Sequence, residues 1–584
     1  MKSKTYIGII ENQDLVRIYT LYSFLFRTKI VIYGKHRLNK FSFLNKNIII
    51  EEDFIGKVYS AWYELQKFLT LRSGFIDSLA LEKNFFLRLQ CWLFKSDKVV
   101  NFYKQYYANI QYLLLRDKVL AKDNEMDVCF LLPFFKTYRV LAKEHLKSEE
   151  YSFSFIITFL YLLTASRGFI GSIIKILLTK PVFKKRNKFR VLKRLAWGFH
   201  GKDLRDDMLV DNIQIKKKDI VFFFESFSIK KNEKKIYEEA IKSGYRVILI
   251  DKNFNINQSF FNAIRNNFLF PIVMYLPLLL FSPFLLLSSR IFNSKSFTCA
   301  KLFSFVSVDK FWSVGNWHDI AETVVANNHN TRTFMYSWSD YAQSYLHPFI
   351  YTVQDDVFMW GTLENKFMIQ RSMHENMYTI GCLFSNSILE NKEKLYSRLG
   401  LDFKKPLLAF YDSPVSNSMR FPQSLFDEFR EIILEIEKKY PNIQIVVKPK
   451  KVNDEYKHFF KNTSIKLFDS SDISLGDIVN IASINIGMGF VAPITVSIIM
   501  DRVGLIFDTA GNYHNPLAKY QGSIVFRNKK KLIERIDEII EHGNFQPMPV
   551  EEKLGYNIPK TDPIDILRTY VSNNVVDERY RLID

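Results

Sequence analysis

The sequence predicts an α/β protein with two consecutive Rossmann-like, doubly wound lobes behind an N-terminal α/β and helical extension. Three observations predict it. Short runs of β-branched and aromatic residues recur along the chain, such as 219–224 (DIVFFF), 443–447 (IQIVV) and 505–507 (LIF). Such runs read as strands buried on both faces, the mark of a parallel sheet. Between them lie stretches with helical spacing, among them Leu425, Phe426, Phe429, Ile432, Ile433 and Ile436 on one stripe. Glycines, lysines and acids gather where the strands end, and in an open parallel sheet those ends line the ligand crevice.

Composition sets the bounds. A chain of 584 residues is long enough for two or three domains. With 48% hydrophobic and 16% aromatic residues it carries ample core material, which excludes an intrinsically disordered chain. Lys and Arg outnumber Asp and Glu by 81 to 61, and a net charge of +20 points to an anionic partner. The four cysteines (Cys91, Cys129, Cys299, Cys382) are far apart and form no C-x-x-C pair, so neither a disulfide framework nor a zinc site is expected, and a reducing compartment fits. After Met1 a short strand-like YIGII runs into the polar ENQD, so no secretory signal is expected.

In chain order, residues 5–50 read as strand, helix, strand and a further strand at NIIIEE. From about 58 to 146 the spacing is helical, with one strand expected at 127–135. Residues 155–178 are strongly apolar but carry Arg167 and Lys175, each costing about 2.5–3.5 kcal/mol at a bilayer centre, which argues against a simple span. A basic run, 184–194 (KKRNKFRVLKR), follows at once. Two readings stand there: an apolar helix beside a basic run lying on an anionic leaflet, or a core helix and a solvated linker. A βαβ unit is predicted from Asp219 to Asp251, with the first strand ending at Glu225.

Residues 268–289 (FLFPIVMYLPLLLFSPFLLLSS) have the length of a membrane span and no charge. Pro271, Pro277 and Pro283 interrupt them, each costing roughly 3 kcal/mol inside a helix, so a monotopic or re-entrant insertion is expected. Further strands are predicted at 305–316, reaching a turn at Gly315-Asn316, and at 332–338, 356–361 and 377–382, with a charged linker at 383–404. The organisation expected is therefore 1–200 for the extension, 201–390 for the first lobe and 391–584 for the second.

The second lobe concentrates the chemistry. Its strand at 443–447 ends in Lys448-Pro449-Lys450-Lys451, a weaker strand is predicted at 477–481, and Gly487-Met488-Gly489 reads as a small-residue turn. A buried helix is predicted at 491–500, then a strand closed by Asp508. Glycines there let backbone N–H groups approach a phosphate, and a helix start adds partial positive charge.

This order of elements resembles the C-terminal half of bacterial surface-polysaccharide glycosyltransferases of the GT-B fold, including capsule Kdo- and sialyl-type transferases and the related glycerophosphotransferases. The resemblance covers roughly residues 215–545, with Trp360-Gly361 and Ile380-Gly381 as matching strand ends in the first half. It departs where that family often has Lys-Pro-His-Pro, here Lys448-Pro449-Lys450-Lys451. It departs again where many members place a Glu on the donor's ribose, here Thr495 and Val496.

The resemblance implies a nucleotide-sugar donor, of CMP, CDP or UDP type, held against the second lobe. Lys448 and Lys450 would face its phosphates. Backbone amides from Gly487 through Gly489 to Phe490, the hydroxyls of Ser483 and Thr495, and Asp508 at the strand end would complete the site. It implies no cofactor and no metal, since lysines and a helix terminus can neutralise the leaving phosphate. A general base would come from the first lobe, with Asp340, Glu225 and His318 as open alternatives.

The implied acceptor is a lipid-linked saccharide or growing polysaccharide at the inner face of the cytoplasmic membrane. Two other readings remain: a nucleotide-sugar epimerase or hydrolase of the same fold, and a non-catalytic membrane scaffold. Nucleic acid is not an expected partner, because the basic residues interleave with aromatics in no recognised module.

Overall fold

The computed structural model describes residues 5–8, 13–33, 47–51, 114, 118, 128–163, 181–182, 187–194, 220–225, 241–242, 246–250, 256–257, 302–303, 306–312, 323, 326–327, 329–337, 352–361, 372–382, 392–412, 423–449, 452, 454–468, 472–509, 516–547, 563–573, 576 and 580–581. Most of the strands among them belong to three parallel sheets.

The first sheet contains β1 (Thr5–Gly8), β2 (Ile30–Tyr33), β3 (Ile48–Glu51), β4 (Val128–Pro133) and β5 (Tyr151–Ser154), in spatial order β3-β2-β1-β4-β5. Helix α1 (Gln13–Phe26) connects the first two strands. The extension is thus itself doubly wound, which the strand-helix-strand pattern of residues 5–50 announced only in part.

The middle sheet contains β6 (Asn187–Arg194), β7 (Ile220–Glu225), β8 (Arg246–Ile250), β9 (Val306–Trp312), β10 (Arg332–Tyr336), β11 (Asp356–Met359) and β12 (Asn376–Thr379), in the order β12-β11-β10-β9-β6-β7-β8. Numbered along the chain this is 7-6-5-4-1-2-3, so the order reverses between β6 and β9. One expectation is corrected here. Residues 187–194 of the basic run are neither a solvated linker nor a surface strip, because they form an interior strand of the sheet beside its central strand β9. They pair with β9 on one side and β7 on the other. Val191 is buried while Lys188, three residues earlier and so on the opposite face, is exposed. The first strand of this sheet therefore lies before residue 200, ahead of the boundary that composition suggested.

The third sheet contains β13 (Leu407–Tyr411), β14 (Gln444–Val447), β15 (Lys466–Leu467), β16 (Ile484–Met488), β17 (Val503–Phe507) and β18 (Val525–Phe526). Its order is β15-β14-β13-β16-β17-β18, or 3-2-1-4-5-6 along the chain. Every residue of β13, β16 and β17 is buried, as strands covered on both faces must be. Along β13, Leu408 and Phe410 point into one apolar cluster, while Leu407, Ala409 and Tyr411 point into the other. The predicted stripe of α2 (Gln423–Lys439) fills the first cluster, together with Leu532, Ile533, Ile536 and Ile539 of α6 (Lys529–Glu541).

Two local readings change. Residues 477–481 are not a strand but part of helix α4 (Leu475–Ile481). Ser474 caps it, its Oγ accepting from the Asp477 N–H at 3.0 Å and donating to the Asp477 carboxylate at 2.6 Å. The strand follows at Ile484–Met488 instead, so Gly487 lies inside β16 and not in a turn.

The last helix, α7 (Pro563–Asn573), comes after the third sheet in sequence but packs on the middle one. The Tyr570 ring lies edge-on to Phe334 and Phe358, with centroids 5.2 and 4.9 Å apart. One apolar cluster joins Trp312, Phe334 and Phe358 through Tyr570 and Val571 to Leu407, Ala409 and Tyr411. Among the described residues no helix is long and apolar enough to cross a membrane, and residues 268–289 lie outside them.

Candidate functional site

Reversal of strand order in the third sheet falls between β13 and β16, and in such sheets the crevice at that point, beyond the strands' carboxyl ends, is where ligands bind. The residues at those ends can be placed by register. Tyr411 pairs with Gly487, Phe410 with Val447, and Met488 with Phe507. Lys448, Asp412, Gly489 and Asp508 therefore leave four neighbouring strands at one level, with adjacent strands about 4.8 Å apart.

Each is held by backbone bonding. The Lys448 N–H donates to the Phe410 carbonyl at 2.8 Å, extending the ladder by one residue. The Gly489 N–H donates to the Phe507 carbonyl at 2.7 Å, and its φ of 66° turns the chain out of the sheet, a conformation that favours glycine. The Asp508 N–H donates to the Phe526 carbonyl at 2.9 Å. Lys448 and Asp508 are both buried.

Past the Gly489 turn, helix α5 (Ala492–Ile499) starts with Pro493 in its first turn and Val491 as N-cap, which offers no side-chain oxygen to the first amides. Pro493 has no N–H and the Ile494 N–H donates to the Val491 carbonyl at 3.0 Å, so the amides that precede Pro493, together with the helix dipole, make the anion-favouring end at the crevice. Beneath it, the Tyr411 hydroxyl donates to Asn485 Oδ1 at 2.7 Å, and Asn485 Nδ2 reaches the carbonyls of Val503 and Val479 at 3.3 and 3.4 Å. This buried bridge ties β13, β16 and β17 together directly under the turn.

Of the residues singled out from sequence, Lys448, Gly489 and Asp508 come together at this edge. Phe490 follows Gly489 and is buried, and Thr495 is buried one turn into α5. Gly487 faces the helix rather than the crevice: a Cβ there would lie 2.6 Å from both Ile494 Cγ1 and Val491 Cγ2. Ser483 is at the other edge of the sheet. It precedes β16, its N–H donates to the Leu407 carbonyl at 2.7 Å and its Oγ accepts from the Leu407 N–H at 3.4 Å, all at the start of β13. The six steps from Ser483 along β16 to Gly489 put it about 20 Å from that turn. Its placement follows from the corrected strand boundary, since a residue before a parallel strand lies at the amino edge. Glu225 ends β7 at the carboxyl edge of the middle sheet, paired with Ile250. Lys450, His318 and Asp340 lie outside the described residues.

Asp412, at the end of β13, is a group that the sequence motifs do not single out. Its Oδ1 is out of solvent with no hydrogen-bond partner. Burial pushes its carboxyl up to about 7, against the pull of Arg430 and with a further push from Glu455. Arg430, buried on α2, does not close on it. Its Nη2 donates to Glu455 Oε1 at 2.7 Å across to α3 (Asp454–Phe459), and its guanidinium lies 5.2 Å from the rings of Tyr456 and Phe459. Among the described residues no group of three or more His, Cys, Asp or Glu side chains is placed to hold a metal ion.

No protein-family model matches the chain, and no curated protein matches it. Solved structures resemble it at low identity. The UDP-GlcNAc 2-epimerase from Neisseria meningitidis bound to UDP-GlcNAc is 11% identical with a TM-score of 0.38, covering 66% of this chain and 100% of its own. The wall teichoic acid polymerase TagF is 9% identical with a TM-score of 0.37, covering 70% and 94%. A glycosyltransferase from Rickettsia africae ESF-5 is 12% identical with a TM-score of 0.33, covering 67% and 95%. It is the chain's own strand orders, rather than this likeness, that define its consecutive doubly wound α/β units.

Proposed function

We propose that the chain is a glycosyltransferase that moves a sugar from a nucleotide-sugar donor to a lipid-linked or growing surface-polysaccharide acceptor, without a metal. One observation carries this reading. Around the point where strand order reverses in the third sheet, a lysine and a glycine turn leading into an uncapped helix start leave the two strands that flank β13 at one level. That set suits a phosphate group. Lys448 supplies charge, and the amides after Gly489 supply donors that need no reorganisation as the leaving nucleotide gains negative charge. The middle sheet would supply the acceptor side, with Glu225, Asp340 and His318 as the competing general bases.

The test is a thermal-shift screen against CMP, CDP, UDP and GDP. One of them is expected to raise the unfolding temperature of the wild type, and Lys448→Ala is expected to weaken that nucleotide roughly 10- to 100-fold, the loss of one charge-assisted contact. No shift with any of the four, or an unchanged affinity in the variant, overturns the reading. Turnover of a nucleotide sugar with no acceptor present would instead identify an epimerase or hydrolase.

The acceptor places the protein, in this proposal, at the inner face of the cytoplasmic membrane. With residues 187–194 built into a sheet, the apolar stretch 268–289 is the segment that would make that contact. Deleting 268–289 is expected to move the protein from the membrane pellet to the supernatant, and continued sedimentation with membranes counts against it.

A further inference from the structure

We propose that the carboxyl edge of the first sheet carries a second membrane contact, an apolar face of Phe134, Phe155, Phe159 and Leu163 that lies in the interface of an anionic bilayer. This rests on the membrane placement proposed above and adds to it a surface separate from 268–289.

Strands β4 and β5 both end at this edge, and each is followed by an exposed phenylalanine. Phe134 comes directly after Pro133, and Phe155 comes directly after Ser154 and opens a helix over 155–163. The two rings stack with centroids 4.5 Å apart, and Phe153 meets Phe134 edge-on at 5.6 Å. The helix turns Ile157 and Tyr161 into the core, four residues apart and both buried. Its other side repeats at the same spacing. There Phe155, Phe159 and Leu163 are 70%, 58% and 51% exposed, with Ile156 beside them.

That outer side offers water no polar group. Thr158 is spent inside the fold, its hydroxyl accepting from the Phe134 N–H at 2.6 Å and donating to the Ser154 carbonyl at 2.7 Å. The first turn is fastened as well, because the Ser154 Oγ accepts from the Ile157 N–H at 3.3 Å. A helix that is apolar all round belongs in a core or in lipid, and this one is only half in a core. Exposed apolar side chains that touch one another in this way mark a contact surface.

Charge decides what covers it. Arg139, exposed on the helix Lys136–His145, holds its guanidinium 5.1 Å from the centre of the Phe134 ring. The acids of this region lie toward the other end of the sheet. Glu144 is near the end of that helix, and Glu149 and Glu150 precede β5, whose four residues separate them from Phe155 by about 13 Å. From Tyr151 to Lys202 the sequence contains no Asp or Glu. A second copy of a chain of net charge +20 would bring like charge to this face, whereas an anionic leaflet brings an apolar layer and opposite charge together. Rings at the headgroup boundary with an arginine at phosphate level make a contact that lies on the membrane without crossing it.

The experiment is co-sedimentation of the full chain with vesicles of phosphatidylcholine, alone or mixed with phosphatidylglycerol. Wild type is expected to favour the mixed vesicles. Phe155→Ser with Phe159→Ser is expected to bind them roughly 10- to 100-fold more weakly although 268–289 is intact. The same variant should keep any nucleotide-induced thermal shift of the wild type, because the face is remote from the third sheet. Equal vesicle binding by variant and wild type overturns the proposal and leaves the nucleotide-binding reading untouched. A wild type that binds neither vesicle overturns this contact and the membrane placement together. A wild-type dimer that the substitutions dissociate, with vesicle binding unchanged, gives the face to a second copy and overturns it too. Should the substitutions lower stability, hydroxyl-radical footprinting of wild type decides. Mixed vesicles are expected to reduce labelling of 155–163 several-fold relative to Phe403, which is exposed on the third-sheet unit. Unchanged labelling, as when a segment of the same chain covers the face, overturns the proposal.

Discussion

Replacing Asp356 with alanine is expected to loosen helix α7 by about 3 kcal/mol, seen as a roughly 100-fold acceleration of amide exchange over residues 563–573. Asp356 is fully buried at the start of β11 and gathers three partners. Arg332 reaches it in a two-pronged contact through Nε and Nη2, Asn376 Nδ2 donates to it at 2.8 Å, and the Tyr570 hydroxyl of α7 donates to it at 2.5 Å. Burial and the Asp356 carboxylate push the Tyr570 phenol well above its ordinary range, so it stays a donor at any physiological pH.

Removing one partner of a buried ion pair costs about 3–5 kcal/mol, because the survivor stays desolvated. The lower end applies here. Arg332 is partly exposed and keeps a second pair with Glu375 at 3.0 Å, so it is not stranded. The Asn376 amide loses its partner, and the Tyr570 hydroxyl keeps only Arg332 beside it. Lys310, buried against the Tyr570 ring and donating to its carbonyl, then remains as a polar attachment beside the apolar contacts. Exchange over α7 no faster than in wild type would show that the apolar contacts of Phe334 and Phe358 hold the helix by themselves. Since α7 ties the end of the chain to the middle sheet, nucleotide binding at the third sheet should survive this change while transfer suffers.

Much of the third sheet was legible because its strands are buried on both faces and so read as unbroken apolar runs: Gln444–Val447, Val503–Phe507 and Leu407–Tyr411 stand out in the sequence at sight. Helices with one wet face were equally plain, since the stripe on α2 repeats every three or four residues. What failed was the arbitration of short mixed segments. DIVNI carries three β-branched residues and passes for a strand, yet the Ser474-x-x-Asp477 pattern before it is a helix-start signal, and the cap decided. In 187–194 the density of positive charge hid an alternating strand, because its lysines and arginines were read for their charge and not for their spacing. The site was legible to the extent that it depends on strand ends. Lys448, Gly489 and Asp508 are brought to one edge by topology alone, whereas the Asp412–Arg430–Glu455 cluster joins three elements and has no local signature.

Gly487 shows how a correct choice of residue can rest on the wrong reason. A glycine in a phosphate turn tolerates alanine poorly because the anion needs its backbone, whereas this one lies inside β16 with normal strand pairing to Tyr411 and Ile506. Its missing side chain makes room for α5. Cβ placed there would sit 2.6 Å from Ile494 Cγ1 and 2.6 Å from Val491 Cγ2, well inside contact distance. Neither can step aside cheaply. Both are β-branched and stiff at χ1, and Ile494 is held from the other side, where its Cγ2 lies 3.1 Å from the Cβ position of Gly504 on β17. Ile494 is thus wedged between two glycines of adjacent strands, and it is fully buried.

Gly487→Ala is therefore expected to cost about 3 kcal/mol, the upper end for one added methyl in a packed core, and to lift the start of α5 away from the sheet. That displacement moves the amides after Gly489 while leaving Lys448 where it is. The variant should consequently lose nucleotide affinity together with stability, and Val491→Ala in the same chain, which removes the clashing Cγ2 outright, should restore part of both. If alanine is accommodated with no loss of stability in chemical denaturation, the helix is not seated on these glycines, and the anion-binding end at the crevice loses its mechanical support.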